Sequence, residues 1–163
     1  MSSLKTIHCI LPCLKINHLI KNCHAFGLLK RGLQVITLNI QHILPKLNEI
    51  KLMLQQTRSV NILGLCEIFL SYDTDDLPLQ IQGFNSERKN RESRGGWGIL
   101  LYVDSSISYN RCVDLETIGV DSIWIEVTLA QSKPGYSYFQ FTCHLVPQLT
   151  GLIDLRCKFK KHY

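Results

Sequence analysis

Leu33-Gln-Val-Ile-Thr-Leu-Asn39 is rich in residues that favour β-strands, and it ends in an asparagine. A helical pattern follows from Ile43 to Gln56, with apolar residues recurring on one face at Ile43, Leu47, Ile50 and Leu54. A second apolar run, Asn61-Ile-Leu-Gly-Leu-Cys66, comes next, and Glu67 closes it. Residues 32–70 therefore read strand, helix, strand, with a polar side chain at the end of each strand.

A strand–helix–strand unit of this length predicts two parallel strands joined by a right-handed crossover. Parallel strands end at the same edge of a sheet, so we expect Asn39 and Glu67 to emerge side by side. In open α/β sheets, ligands bind at the edge formed by the carboxyl ends of the strands. This edge is the first candidate for a functional site.

Composition places the chain among globular proteins of about one domain, with 163 residues, 45% hydrophobic and 19% charged. The net charge of +5 permits a polyanionic partner without requiring one, because solvated lysines give the same sum. Seven cysteines, an odd number, indicate reduced thiols and an intracellular location in the cytoplasm or nucleus. The sequence has no run of 18 apolar residues, so we expect no membrane partner. We also expect no small-molecule cofactor.

The leader, residues 1–31, differs from the rest because it has no acidic residue. Cys9, Cys13, His18 and Cys23 have a spacing close to that of a zinc knuckle. The first spacer is one residue too long, however, and it contains Pro12. The alternative is an apolar leader whose thiols bind no metal.

A basic segment follows Gly83-Phe-Asn, and it contains Arg88, Lys89, Arg91 and Arg94 within seven positions. A basic loop at the lip of a sheet binds phosphate, mainly through arginine. The alternative is an ordinary solvated turn.

Three further stretches are predicted strands after this segment. The first is the apolar run Trp97 to Val103, and Asn110 to Leu115 is a shorter one. Asp121 to Leu129 alternates cleanly, with Ile123, Ile125, Val127 and Leu129 on one face. Tyr136 to Leu145 is a candidate for another strand, and no reliable period follows it.

Taken in order, these stretches resemble the endonuclease domain of LINE-like (non-LTR) retrotransposon polyproteins, which belongs to the endonuclease/exonuclease/phosphatase superfamily. The resemblance rests on Thr-Leu-Asn39, Leu-Cys-Glu67-Ile-Phe-Leu, Gly83-Phe-Asn, Arg-Gly-Gly-Trp97-Gly-Ile-Leu-Leu-Tyr-Val and Asp121-Ser-Ile-Trp-Ile-Glu-Val. It covers residues 32–130, about two-thirds of the chain.

The resemblance implies an α/β fold, a partial two-sheet α/β sandwich, and Mg²⁺-dependent cleavage of a phosphodiester in DNA. The family's metal-binding asparagine and glutamate match Asn39 and Glu67. The chemistry agrees, because Mg²⁺ takes one or two carboxylates together with water and substrate phosphate. Without the resemblance, Asn39 reads as a turn residue and Glu67 as a solvated acid at a strand end.

The family's later motifs, Gly-Asp-Phe-Asn and Ser-Asp-His, are absent from the sequence. We therefore expect residues 32–138 to form part of an endonuclease domain, between the leader and a tail, residues 139–163, that do not resemble the family. A domain without these motifs lacks its general base, so we expect a fragment with no complete catalytic set and no useful activity. The alternative function is non-catalytic binding of nucleic acid through the basic segment.

Overall fold

The computed structural model describes residues 33–57, 59–90, 98–116 and 122–129, together with the backbone of three further strands. The leader residues Cys9, Cys13, His18 and Cys23 lie outside the described residues, as do Arg91 and Arg94. The zinc alternative and half of the basic segment therefore stay predictions.

The predicted strand–helix–strand unit is present. Strand β1 (Val35–Asn39) runs parallel to β2 (Ile62–Cys66). Helix α1 (Leu47–Thr57) lies between them in sequence, and a 3-10 turn (Leu44–Lys46) precedes it. The helix begins later than the apolar pattern predicted, because Pro45 lies in the tighter turn before it and has no N–H to donate. The predicted face is confirmed, since four side chains are at most 7% exposed: Ile43, Leu47, Ile50 and Leu54.

The first sheet adds β3 (Phe84–Asn90) and β4 (Gly98–Asp104), in the order β1-β2-β4-β3. Strand β4 is antiparallel to both of its neighbours. The carboxyl ends of β1, β2 and β3 therefore share one edge with the beginning of β4. One row of paired residues crosses the sheet there: Asn39, Cys66, Ile99 and Lys89.

A second, antiparallel sheet is formed by β5 (Tyr109–Arg111), β6 (Ser122–Leu129), β7 (Gly135–Val146) and β8 (Leu149–Ile153), in that order. Strand β9 (Arg156–Lys158) also pairs with β7. Strand β7 matches the strand expected at Tyr136 to Leu145, whereas β8 and β9 have no period in the sequence that predicts them. The boundary expected after residue 138 falls inside β7, whose backbone pairs with β6 from Gly135 to Thr142.

Two apolar clusters hold the layers together, one between α1 and the first sheet and one between the two sheets. The predicted alternation of β6 is confirmed where its side chains are described, because Ile123, Ile125 and Val127 are completely buried against the first sheet. Burying three such side chains contributes about 5 kcal/mol or more. The chain is thus an α/β protein with two packed sheets. Within the described residues, no helix combines the length and the apolar content needed to cross a bilayer.

Candidate metal centre

Asn39 and Glu67 are in direct contact at the shared edge of β1 and β2. The Nδ2 atom of Asn39 donates a hydrogen bond to Oε1 of Glu67 at 2.6 Å. Asn39 is the last residue of β1, and Glu67 follows the last residue of β2. The side chains are therefore as close as the parallel arrangement predicted, and their role as metal ligands stays a prediction.

Glu67 lies in an unusual environment for an acid, because the residue is only 6% exposed. Among the described residues, its hydrogen-bond partner is the neutral amide of Asn39, and no lysine or arginine forms an ion pair with it. Buried carboxylates are ordinarily paired with a cation or bound to a metal. A bound cation would supply the cationic partner that this carboxylate lacks among the described residues.

Three more oxygen atoms at or near this edge lack hydrogen-bond partners in the described structure. They are Oδ1 of Asn39, Oγ1 of Thr37 and Oδ1 of Asn90, and all three are buried. Side chains two residues apart on a strand lie on the same face, so Thr37 and Asn39 both face the second sheet. Buried acceptors without donors are rare in native structures. The oxygen chemistry of this edge fits a hard cation such as Mg²⁺, which prefers oxygen ligands.

The backbone at these strand ends is strained. Among the described residues, the non-glycine positions with positive φ all lie here: Gln41 (40°), His42 (68°), Glu67 (57°) and Phe69 (53°). Each left-handed residue of this kind costs roughly 1–3 kcal/mol, and such residues cluster at functional sites. The strain is therefore concentrated on the two segments that carry Asn39 and Glu67.

The two strained segments are bonded to each other. Their backbone hydrogen bonds run from Ile40 N to Cys66 O (2.9 Å), from His42 N to Glu67 O (3.1 Å), and from Ile43 N to Ile68 O (3.1 Å). The Lys46 ammonium also donates to the carbonyl oxygens of Ile40 and Gln41. These bonds fix the positions of both segments, and so they fix the relative position of the two candidate ligands.

The stacked rings of His42 and Phe69 lie beside the metal candidate, and the sequence did not reveal them. Their centroids are 4.3 Å apart and the ring planes meet at 28°. His42 is exposed, while Phe69 is half-buried. The sequence does not predict this pair, because no sequence pattern indicates that a histidine or a phenylalanine will adopt left-handed backbone.

The basic segment differs from the loop that the sequence predicted. Arg88 and Lys89 lie in strand β3, so their side chains leave opposite faces of the sheet. Arg88 pairs with Asp76 at 2.9 Å, and Lys89 pairs with Glu116 at 3.2 Å. Each charge is therefore partly neutralised within the protein, and neither side chain belongs to a solvated turn.

Glu116 is the centre of a charged network between the two sheets. Its carboxylate is 5% exposed and accepts from Arg111 Nε (2.9 Å) and Nη2 (3.1 Å), besides pairing with Lys89. Burial alone would raise the pKa of Glu116, but the hydrogen bonds from Arg111 and Lys89 outweigh it and lower the pKa. Arg111 also pairs with Glu87 at 3.2 Å, which accepts from the Tyr109 hydroxyl. Burial, followed by the negative charge of Glu87, raises the pKa of Tyr109 to about 12.

The described part of the chain has no group of three or more histidine, cysteine, aspartate or glutamate side chains arranged to hold a metal. A cation at Glu67 would consequently complete its coordination with water and phosphate, as Mg²⁺ commonly does. No protein-family model matches the chain, and no curated protein gives a significant match.

Proposed function

We propose that this chain carries the metal-binding part of a Mg²⁺-dependent, phosphodiester-cleaving endonuclease domain of the LINE-like retrotransposon type. Asn39 and Glu67 are the proposed metal site. The observation that supports the proposal is the buried Glu67 carboxylate at a strained strand end, with the Asn39 amide as its partner. The two packed sheets and the order of the strands are compatible with a sandwich of the endonuclease/exonuclease/phosphatase type.

The two residues have different roles in this proposal. The Glu67 carboxylate binds the cation directly, because it supplies the negative charge and a hard oxygen ligand. The Asn39 amide holds that carboxylate in place through its 2.6 Å hydrogen bond. When bound, the ion would polarise the phosphoryl oxygen and stabilise the leaving group. Lys46 supports both, because it bonds the backbone next to Asn39.

We propose further that hydrolysis by this chain is slow. Cleavage requires a water molecule to attack phosphorus while a base takes its proton, and the P–O bond to the leaving group then breaks. The family's base is the histidine of its Ser-Asp-His motif, and the sequence has no such motif. General-base help of this kind contributes roughly 10²–10⁴ in rate.

The experiment has a binding arm and an activity arm. A site with a single carboxylate should bind Mg²⁺ with a dissociation constant on the order of 1 mM. Adding about 10 mM Mg²⁺ should then raise the free energy of unfolding by about 1.4 kcal/mol. Glu67→Gln should abolish this gain, because it keeps the hydrogen-bond acceptor for Asn39 but loses the charge. Asp73→Asn, which removes an exposed acid from the loop after β2, should retain the gain.

The activity arm is a plasmid-nicking assay with Mg²⁺, in which wild type and Glu67→Ala should give the same low background. Nicking by wild type that disappears in Glu67→Ala would contradict the proposed inactivity and make Glu67 catalytic. Equal stabilisation of wild type and Glu67→Gln by Mg²⁺ would refute the metal site itself.

The second candidate function is non-catalytic binding of nucleic acid through the basic segment. One observation favours it: Asn90 and Gly98, the described residues on either side of the segment that contains Arg91 and Arg94, lie at the same sheet edge as Glu67. In a plot of log binding constant against log salt concentration, the double variant Arg91→Gln, Arg94→Gln should have a slope that is smaller in magnitude by about 2. An unchanged slope would assign no phosphate contact to these two arginines.

A further inference from the structure

The His42–Phe69 ring pair is not explained by packing alone. His42 is exposed, so its stacking on Phe69 removes little apolar surface from water. Both residues also adopt left-handed backbone, with φ of 68° at His42 and 53° at Phe69. Burial of the His42 ring does not offset this strain, because that ring stays exposed. The pair is therefore a candidate for a contact with a ligand.

The ring pair lies directly beside the proposed metal site. The backbone N–H of His42 donates to the carbonyl oxygen of Glu67 at 3.1 Å, and Phe69 lies two residues after Glu67. The backbone bonds from Ile40 and Ile43 to the end of β2 fix this part of the loop. The backbone of His42 is thus held beside the backbone of Glu67, and the His42 ring stacks on Phe69.

We propose that the His42 ring, supported from behind by Phe69, stacks on an unpaired base of a single-stranded nucleic acid. This inference rests on the proposed function, since it supplies a base contact next to the site that would bind the adjoining phosphate through Mg²⁺. Aromatic side chains commonly bind single strands in this way, and the contact tolerates any sequence because every base has a π face. A duplex would offer its stacked bases poorly, so the ligand is single-stranded or locally unpaired DNA or RNA.

The test measures binding of two labelled single-stranded DNA ligands of about 12 nucleotides, a length within the usual site size of such proteins. One is an ordinary oligonucleotide, and the other is abasic throughout but carries the same phosphates. Wild type should bind the base-containing strand more tightly by at least about fivefold, the lower limit expected for one stacked base. Fluorescence anisotropy at low salt gives both affinities.

Two substitutions at His42 separate the ring from the backbone. His42→Asn removes the aromatic ring but tolerates left-handed backbone, which asparagine adopts readily. His42→Tyr keeps an aromatic face. The preference for the base-containing strand should disappear in His42→Asn and persist in His42→Tyr. Circular dichroism should show the wild-type fold in both variants. The thermal midpoint of His42→Asn should be close to wild type, because His42 is exposed and asparagine tolerates its left-handed backbone.

Failure of base stacking at His42 and failure of metal binding at Glu67 give different experimental results. The affinities are measured in EDTA, which removes divalent metal ions. The preference for the base-containing strand should therefore be present whether or not Glu67 binds a metal. The Asp73→Asn variant, which changes an exposed acid outside the proposed metal site, should likewise keep the base preference. Three results would overturn the inference: equal affinity of wild type for both strands, equal loss of both affinities in His42→Asn, or no measurable binding of either strand.

Discussion

The substitution Glu116→Gln tests whether the ion pair of Lys89 with Glu116 stabilises the folded protein, as opposed to Lys89 being available for a ligand. The Glu116 carboxylate forms three close contacts with two cationic side chains, Arg111 and Lys89. A charge-assisted hydrogen bond contributes about 1.5–3 kcal/mol. The cationic side chains are 22% and 24% exposed, which places each contact below that range, near 1 kcal/mol. Arg111 also retains its bond to Glu87. The expected loss in the free energy of unfolding is therefore about 3 kcal/mol.

For a chain of this size, that loss lowers Tm by about 6–12 °C. The effect should depend on pH, because the pKa of Glu116 lies below its ordinary value of 4.5 in the folded protein. A carboxyl whose pKa is lowered in the folded state stabilises the protein at every pH above its pKa in the unfolded state. This stabilisation is lost as the pH falls through the folded-state pKa. The difference in the free energy of unfolding between wild type and Glu116→Gln should therefore have its full size at neutral pH. It should become smaller as the pH falls below the ordinary glutamate pKa of 4.5.

The assay is urea denaturation followed by tryptophan fluorescence over a series of pH values. Asp114→Asn provides the matched control, since it removes one negative charge from an exposed side chain near the network. The control should change stability by at most about 0.5 kcal/mol. A Glu116→Gln variant as stable as this control, or a destabilisation that stays constant through the acidic range, would refute the reasoning.

Two further predictions concern the fold. Gly98→Ala should destabilise by about 3 kcal/mol, because its φ is +143° and a Cβ would lie 3.0 Å from the carbonyl oxygen of Lys89. Gly83→Ala (φ +85°, with open space) should cost only about 1 kcal/mol; equal losses in thermal unfolding would remove the steric argument. Tyr102→Phe should cost about 1–2 kcal/mol, because it leaves the buried Leu79 carbonyl without its 2.7 Å hydrogen bond. Unchanged stability in urea would contradict that reasoning.

The sequence predicted the contact between Asn39 and Glu67 because two simple rules act together. Apolar periodicity identifies β1, α1 and β2, and a helical crossover between neighbouring strands makes them parallel. Two polar residues that end parallel neighbours must then lie side by side. The same periodicity predicted which face of β6 is buried, because alternation identifies the side of a strand that meets a core.

The sequence did not predict how the basic residues are used. Local spacing identified Arg88 and Lys89 as a cluster, but their partners, Asp76 and Glu116, are distant along the chain. The fold brings those charges together: Asp76 lies in the loop after β2, and Glu116 follows β5. The strand β8 was missed for a related reason, since its pairing with β7 comes from a partner and not from alternation of its own residues. The ring stack of His42 was missed because strain in a loop has no sequence period.

Binding of a divalent cation at Glu67, beside Asn39, can be measured directly by NMR. Paramagnetic Mn²⁺, added to isotopically labelled protein, broadens the NMR signals of atoms close to the bound ion. We expect early broadening of the Asn39 side-chain amide and of the backbone amides of Ile40 and Ile68. This broadening should be absent in Glu67→Gln and unchanged in Asp73→Asn. Identical broadening in Glu67→Gln, or broadening centred on the loop around Asp73, would contradict cation binding at Glu67.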